Sequence, residues 1–314
     1  MLATTTETTP ATAPFSLVNF ALFCAIVAAS TVGIPLYGYY YGFSLFDWGL
    51  FLVMYIVTGM GITVGYHRLV SHQSFECPNW VKASILVAGG WALQNSALKW
   101  GSDHIRHHAK TDEEEDPYNA SKGFWHSHCG WLFYTSIHRK DKYEVRLRRD
   151  PIVMWQDRYY WPIVVTGLLI PFVLGVWHGG WQGGISALLL GGLFRLFMVL
   201  NSTFTINSLC HMVGAQPYSK KDSSRDSWLV SFVSFGEGYH NFHHTYARDY
   251  RNDHSGTTSI RRNGSFTRFR SSGSRAIFAA TTPPSGNHFT NDSPDGRVAL
   301  LSPYFPIVLS PIAQ

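Results

Sequence analysis

Long apolar segments alternate with polar ones along this chain of 314 residues. Four of them are long enough to cross a lipid bilayer, which takes about 20 residues. They run from about 15 to 37, from about 45 to 66, from about 160 to 177 and from about 184 to 206. Short polar breaks at 41–44 and 178–183 join them in pairs. The pattern predicts an all-α membrane protein with four transmembrane helices arranged as two hairpins.

Two features interrupt this pattern. Arg195 falls within the fourth segment, and a charge at that depth is expected to face the protein interior or to extend toward the interface. The apolar stretch from Val81 to Leu98 is short and carries Gln94 and Asn95 near its end. These properties favour a helix that lies at the membrane surface or re-enters the membrane.

The two ends of the chain lack the apolar pattern. Residues 1–14 are rich in Thr, Ala and Pro and contain no Lys or Arg, which is typical of a disordered lead-in. Residues 252–314 are rich in Ser, Arg, Gly and Asn, and prolines break their last apolar part. Because this segment has no helical or strand period, we expect a disordered tail.

The positive charges predict the orientation in the membrane. Of the 25 Lys and Arg residues, 13 lie between His67 and Arg158, and 11 follow residue 206. By the positive-inside rule these two blocks are cytoplasmic. We therefore expect a cytoplasmic cap, formed by 67–158 and 207–251, with both termini on the same side. The net charge of +5 could also suit a nucleic acid, but four membrane spans exclude a soluble nucleic-acid-binding protein.

Two copies of the pattern H-x-x-H-H are the strongest chemical signal. One holds His104, His107 and His108, and the other holds the triplet at 240, 243 and 244. On a helix, positions i, i+3 and i+4 lie within one narrow arc, so each copy is expected to present three imidazoles on one face. Imidazole is the commonest protein metal ligand and suits iron, zinc and copper.

Three further histidines lie where apolar segments end. His67 and His72 are five residues apart, about 140° on an ideal helix, so they can share a metal site only if the helix ends or distorts between them. His211 follows the fourth segment, with Asn207 one turn before it. Eight or nine imidazoles imply two metal ions, because one ion rarely takes more than six ligands. The four cysteines are scattered, which argues against a zinc ribbon or a disulfide framework. Imidazole-rich sites with open positions suit redox iron or copper and O₂ chemistry.

Three segments then resemble a known family. HRLVSH at 67–72, DHIRHH at 103–108 and GEGYHNFHH at 236–244 are similar to the three histidine boxes of the membrane fatty acid desaturases. The resemblance is closest to the Δ9 acyl desaturase branch, which includes the stearoyl-CoA desaturases and their bacterial counterparts. Asp116-Pro-Tyr-Asn and Asn207-Ser-Leu-Cys-His also match. The resemblance covers about residues 15–251.

The resemblance implies a helical cap that holds two non-haem Fe²⁺ ions and introduces a cis double bond into a saturated acyl chain with O₂. It implies that Asn207 reaches iron through water. The implied metal ligands are His67, His72, His104, His107, His108, His211, His240, His243 and His244. Two electrons come from a separate donor, of the ferredoxin, rubredoxin or cytochrome b5 type. The substrate would be a fatty acyl thioester or an acyl lipid.

The resemblance also implies substrate-binding residues. Gln94, Trp100 and Thr203 match positions that line the bend of the acyl tunnel, and Tyr55 matches the position that closes its far end. For Trp100 and Tyr55, ordinary aromatic packing is the alternative. We further expect the acidic run Glu113–Asp116 to be a solvated loop, and His128 to support a metal ligand from behind.

Some alternatives remain open at this point. The abrupt change after residue 251 suggests a frameshift, in which case the chain is a desaturase inactivated by an aberrant C-terminus. A related membrane diiron hydroxylase or monooxygenase is the nearest other activity. A metal transporter is disfavoured because its histidines would lie along a pathway within the spans, whereas these lie at one face.

Overall fold

In a computed structural model of the chain, residues 14–134 and 142–250 are described. The predicted tail at 252–314 lies outside them, as does nearly all of the predicted lead-in at 1–14. Regular structure in the described residues is helical, apart from isolated β-bridges. The α-helices are α1 Leu17–Ala28, α2 Ile34–Tyr41, α3 Leu45–Met60, α4 Asn79–Gly90, α5 Ala97–Lys110, α6 Phe124–His128, α7 Glu144–Leu147, α8 Pro151–Arg158, α9 Tyr160–Ala187, α10 Arg195–Met212, α11 Trp228–Val233 and α12 His240–Thr245.

The described residues contain three helical runs that are long and apolar enough to cross a membrane. They are Leu17–Tyr41, Leu45–Ser71 and Tyr160–Met212. The first two extend the predicted segments by four or five residues at their C-terminal ends. The third has 53 residues and contains both of the remaining predicted segments. It is interrupted at Gly179 and Gly180, whose backbone angles are not helical. Gly180 has a φ of +63°, a conformation that glycine adopts without the steric cost a side chain would add.

The stretch from Val81 to Leu98 does not form one helix. Helix α4 ends at Gly90, and Leu93 and Asn95 then take positive φ values of 56° and 72°. Helix α5 starts at Ala97, where the side chain of Ser96 accepts a hydrogen bond from the Lys99 amide. The single surface helix expected from the sequence is therefore wrong, and the chain makes a corner there instead.

A buried polar contact fixes the start of α5. Gln156 on α8 is fully buried; its side-chain oxygen accepts from the Ala97 amide, and its amide nitrogen donates to the Tyr66 hydroxyl. Tyr66, Ala97 and Leu98 belong to the largest apolar core. This core therefore holds α5 against the end of the second membrane candidate.

Arg195 is completely buried. Of the two positions expected from the sequence, it takes the one that faces the protein interior. Its guanidinium donates to the backbone carbonyl oxygens of Gly191, Trp91 and Gly167. Buried charges persist in proteins only when they are paired or hydrogen-bonded. Here backbone carbonyls from three parts of the chain satisfy the charge, so Arg195 fastens α9 and the α4–α5 corner to α10.

Candidate metal centre

Nine histidines gather into two compact groups. One, the five-histidine group, consists of His67, His72, His104, His108 and His243. The other, the four-histidine group, consists of His107, His211, His240 and His244. Within each group the candidate ligand atoms all lie within 4.8 Å of one another. These are the nine histidines singled out from the sequence, and the structure brings all of them together.

A π-helical segment brings His67 and His72 together. Residues Gly61–Ser71 continue α3 with this wider winding, and the His72 amide donates to the His67 carbonyl, five residues back. The two ring centroids are therefore only 4.8 Å apart. The sequence indicated that these two histidines could share a site only if the helix ended or distorted between them, and the π-helical segment is such a distortion. Single π-helical turns are rare and often mark functional sites.

Each H-x-x-H-H pattern contributes to both groups. On α5, His104 and His108 enter the five-histidine group, whereas His107 enters the other. On α12 the division is reversed, since His243 joins the five-histidine group and the pair at 240 and 244 joins the other. The sequence predicted three imidazoles on one face of each helix, and the structure divides each triplet between the two groups. In each helix the histidines at i and i+4 enter one group, and the histidine at i+3 enters the other.

Acidic side chains lie behind several of these rings. His107 Nδ1 is hydrogen-bonded to Asp116 Oδ1 at 2.8 Å. His67 Nδ1 lies 3.2 Å from Glu237 Oε2. His244 Nδ1 lies 3.4 Å from Asp222 Oδ2. A carboxylate in this position holds the Nδ1 proton, orients the ring and makes the other nitrogen a better ligand.

The acidic loop before residue 117 is therefore not uniformly solvated, as the sequence suggested. Glu114 is exposed and pairs with Lys122, but Asp116 is buried and accepts hydrogen bonds from the backbone amides of Asp112 and Tyr118. Burial opposes ionisation of Asp116, but His107 and these hydrogen bonds outweigh it and lower its pKa. Asp116 is thus a carboxylate, and sequence reasoning missed its role.

Glu237 was also missed, although it lies inside the third histidine box. Its carboxylate contacts His67, accepts from Arg68 Nη2 at 2.8 Å and accepts from the Thr63 hydroxyl. Both Glu237 and Arg68 are buried. A sequence signal existed, because an acidic residue three positions before a candidate ligand can reach the same site. The sequence could not indicate which histidine it would contact.

His211 reaches the four-histidine group from the end of α10. Its Nδ1 bonds with the hydroxyl of Ser223 at 2.8 Å, and this hydroxyl donates to Asp112 Oδ1. The Nε2 atom of His211 then lies 3.1 Å from that of His240. A lone histidine at a helix end, which the sequence left ambiguous, is thus part of the cluster.

The inward-facing nitrogens fit a cation. Neighbouring Nε2 atoms within each group are 2.8 to 3.2 Å apart. Two neutral imidazole nitrogens can be this close only with a proton or a cation between them. Rings whose Nδ1 proton is held by a carboxylate have a bare lone pair at Nε2, so a proton is not available there. The donor set and its geometry therefore fit a bound metal ion in each group.

The protonation states support the same conclusion. Burial, followed by repulsion from neighbouring histidines, holds the pKa of His104, His108, His243 and His244 well below its usual range. These side chains are neutral at pH 7. Metal ligation requires the neutral imidazole, because a protonated ring has no free lone pair at either nitrogen.

A mostly apolar cavity meets the five-histidine group at His104. It has a volume of about 150 Å³ and runs between α1, the α4–α5 corner and α10. Gln94, Trp100, Thr203 and Asn207 line it. Trp100 Nε1 donates to Gln94 Oε1 at 3.1 Å, and Gln94 Nε2 donates to the Thr203 hydroxyl at 2.9 Å. Three of the four substrate-binding candidates thus form one hydrogen-bonded chain in the cavity wall.

The fourth substrate-binding candidate, Tyr55, and the expected supporting residue, His128, lie elsewhere. Tyr55 is absent from the residues described as lining that cavity; its hydroxyl donates to the Val233 carbonyl at 3.0 Å, and its ring packs against Phe235. His128 bonds with Ser208 and lies 3.4 Å from Asn201. Both partners of His128 are on α10, so it supports that helix rather than contacting one of the nine histidines directly.

The family follows from a comparison with known proteins. A model of the fatty acid desaturase family matches residues 14–254, most of the chain. The chain belongs to the fatty acid desaturase family. Because the match includes every histidine of both groups, the clusters described above are the histidine boxes of a family member.

Several curated proteins are similar over most of this chain. Acyl-CoA desaturase 1 of Saccharomyces cerevisiae is 36% identical over 235 residues, which cover 70% of this chain and 44% of that protein. The sn-2 palmitoyl-lipid 9-desaturase of Nostoc sp. is 36% identical over 230 residues, 68% of this chain and 78% of that protein. The hex-5-enoyl-[acyl-carrier protein] acetylenase of Moorena producens is 32% identical over 241 residues, 73% of this chain and 75% of that protein. The chain thus spans less than half the length of the Saccharomyces relative.

Proposed function

We propose that this chain is an O₂-dependent fatty acyl desaturase that introduces a cis double bond of the Δ9 type into a saturated acyl chain. One observation carries the proposal: two groups of inward-facing imidazole nitrogens adjoin an apolar cavity at His104. Family membership and the names of the relatives, two of which are 9-desaturases or acyl-CoA desaturases, support the same reaction.

The nine histidines would hold two Fe²⁺ ions, one in each group. Asn207, which lines the cavity one turn before His211, would reach iron through a water molecule. When bound, the iron pair supplies the oxidising chemistry that removes two hydrogens from an unactivated chain. The carboxylates of Asp116, Asp222 and Glu237 orient the rings that they contact and turn Nε2 inward, while burial and repulsion from neighbouring histidines keep rings of the cluster neutral. Electrons would come from a separate ferredoxin, rubredoxin or cytochrome b5 type donor.

The cavity would position the substrate. Its apolar walls suit methylene groups. Because methylene groups carry no polar atom that the protein could bind, the position of the double bond must be set by where the acyl chain is held. The Trp100–Gln94–Thr203 chain gives one wall a fixed shape because each side chain is held by the next. Tyr55 would limit chain length from farther along α3.

The protein would be a multi-pass membrane protein that crosses the bilayer four times. The break at Gly179 and Gly180 lies where the predicted turn joins the third and fourth segments. A run of 53 helical residues is about 80 Å long at 1.5 Å per residue, far more than one crossing of about 30 Å. The active site and both termini would then be cytoplasmic, in agreement with the distribution of Lys and Arg.

The head group of the substrate is proposed only as a class. The names of the three relatives specify an acyl-CoA, a lipid and an acyl-carrier protein respectively. These have in common a fatty acyl chain carried by a polar group. A fatty acyl thioester or acyl lipid is therefore the substrate class that we propose for this chain.

Fatty-acid analysis in a host without its own desaturase tests the proposal. The host would express the full chain, a His107→Ala variant, and a version in which 252–314 is replaced by the C-terminal segment of the Nostoc relative. Double-bond mapping should find cis-9 monounsaturated products that the His107 variant does not make. Product only from the version with the replaced C-terminus would mean that the native tail inactivates the enzyme. A hydroxylated product, or none from either chain when both contain iron, would contradict the proposal.

A further inference from the structure

Helix α11, Trp228–Val233, carries an apolar face that no described part of the protein covers. Trp228 is 75% exposed, Leu229 60% and Phe232 81%. These residues lie at i, i+1 and i+4 and therefore share one side of the helix. On the other side, Val230 and Ser231 are buried. Large, fully exposed apolar side chains grouped on one face usually mark an interaction surface.

The end of α11 is attached to two candidate membrane spans. The backbone carbonyl of Val233 accepts a hydrogen bond from the Tyr55 hydroxyl at 3.0 Å and another from the Ser202 hydroxyl at 2.8 Å. Ser202 precedes His211 on α10 by nine residues, about 13 Å along the helix axis at 1.5 Å per residue. The C-terminal end of α11 therefore lies beside the spans, below the level of the metal centre, whereas its start is attached near the third histidine box through the bond from the Ser227 amide to the Gly238 carbonyl.

The apolar surface of α3 reaches the same level. Leu52, Val53 and Ile56 are exposed apolar residues of this candidate span, whereas from Thr58 to Ser71 the chain is almost entirely buried. Tyr55 lies among those exposed residues. The C-terminal end of α11 is thus attached, through Tyr55, to the exposed part of α3 rather than to the buried segment after it that carries the histidines.

The composition around α11 suits a membrane interface. Residues 227–236 contain no charged side chain, and the segment just before them, 220–226, holds three basic residues, Lys220, Lys221 and Arg225, and two acidic ones, Asp222 and Asp226. Aromatic residues are enriched at the level of the lipid head groups, and basic residues near that level are attracted to anionic lipids. With six residues, α11 is far too short to cross the bilayer.

We propose that α11 inserts into the cytoplasmic interface of the bilayer and that lipid covers Trp228, Leu229 and Phe232. The inference rests on the membrane placement given under the proposed function. It makes α11 a lipid anchor for the cap. The Ser227 amide donates to the Gly238 carbonyl, two residues before His240, and the Val233 carbonyl holds Tyr55. The anchor therefore links the bilayer to both the third histidine box and the residue proposed to limit chain length.

Site-directed spin labelling tests the anchor in the full chain. The four native cysteines are replaced, and the protein is reconstituted in vesicles of phosphatidylcholine and phosphatidylglycerol. A nitroxide is attached to Phe232→Cys, and its collision rates with O₂, which concentrates in lipid, and with a water-soluble nickel chelate are compared. Val53→Cys on α3 is the lipid reference, and Glu114→Cys in the exposed acidic loop is the water reference. Leu229→Cys gives a second reading of the same face if the Phe232 variant fails to fold.

The oxygen-to-nickel ratio at Phe232 should be close to that at Val53 and at least about fivefold above that at Glu114. A ratio like that of Glu114 would mean that the face is open to water or to a soluble partner, and would overturn the proposal. A label shielded from both reagents would mean that protein covers the face, either residues 252–314 or a second copy, and would also overturn it. If the Val53 label itself meets nickel freely, the proposed membrane placement fails, and the anchor fails with it.

Discussion

His107 and His244 face each other through Nε2 atoms that are 3.2 Å apart, although 137 residues separate them in sequence. Each ring has an aspartate behind its Nδ1, Asp116 for His107 and Asp222 for His244. With both Nδ1 protons directed to carboxylates, two bare lone pairs point at each other, an arrangement that repels unless a cation lies between them. This pair is the clearest sign within the four-histidine group that the folded chain is shaped around a metal.

Replacing Asp116 by Asn should weaken metal binding without removing a ligand. An amide can leave His107 in the wrong tautomer, with a proton on the nitrogen that should bind metal. Loss of such a carboxylate typically costs about 10- to 100-fold in metal affinity. Titration with a competing chelator measures the change.

Glu114→Gln is the matched control for Asp116→Asn. It alters a carboxylate two residues away in the same loop, but Glu114 pairs with Lys122 at the surface. Its metal affinity should equal that of the unchanged chain. Equal losses in the two variants would show that loop charge in general, rather than the bond to His107, supports the centre.

Glu237→Gln should have a double effect. It weakens the hold on His67, which lowers metal affinity in the five-histidine group, and it removes the carboxylate charge that pairs with the buried Arg68 Nη2. Breaking a buried ion pair from one side commonly costs about 3–5 kcal/mol of folding free energy. Thermal unfolding in detergent, recorded with and without metal, separates the two effects. A variant that loses metal but keeps the unfolding temperature of the metal-free parent would contradict the pairing of Glu237 with Arg68.

Thr203→Val should reduce desaturation while leaving the metal centre intact. Valine keeps the size of the side chain but cannot accept the hydrogen bond from Gln94, so the Trp100–Gln94 part of the cavity wall loses its anchor. We expect product yield to fall by about 10-fold, in line with the rate cost of misplaced substrate, or the double bond to move along the chain. Gas chromatography with double-bond mapping reports both.

Thr205→Val is the control for the Thr203 variant. Thr205 lies on the same helix, its hydroxyl donates to the Ser202 carbonyl, and it is not among the described residues that line the cavity. Its products should match those of the unchanged chain. If both variants lose iron, the effect of Thr203 is on the fold of α10, and a role in positioning substrate is excluded.

Tyr55→Ala should shift the product range toward longer chains if Tyr55 closes the far end of the tunnel. Phe51→Ala, one turn earlier and stacked on Tyr55 at 5.9 Å, is the comparison. The test measures the chain lengths of the desaturated products in hosts that are fed fatty acids of different lengths. The same profile for Tyr55→Ala and the unchanged chain would leave Tyr55 a packing residue that holds Val233.

The sequence identified all nine histidines but not how they are divided. Spacing alone places His104, His107 and His108 on one side of α5, yet His107 belongs to a different group. That division depends on how α5 and α12 approach each other, which no local pattern encodes. For His67 and His72 the sequence did give the condition, a distorted helix, and the π-helical segment fulfils it.

The supporting residues were the harder part to predict. Asp116 stands in a run with Glu113, Glu114 and Glu115, and nothing local separates the buried carboxylate from its solvated neighbours. Only the tertiary path of the loop brings it to His107. The corner after α4 was also missed, because an apolar run of this length suits one helix, whereas Leu93 and Asn95 take positive φ values that end the helical path.

Iron content measured together with Mössbauer spectroscopy tests the central claim most directly. The full chain, purified from cells grown on ⁵⁷Fe, should contain two irons per chain, with signals from two distinct nitrogen-rich environments. His107→Ala should lose mainly one of the two signals, and His72→Ala mainly the other, because each histidine belongs to one group. A single iron per chain, or zinc in both groups of an active preparation, would contradict the account.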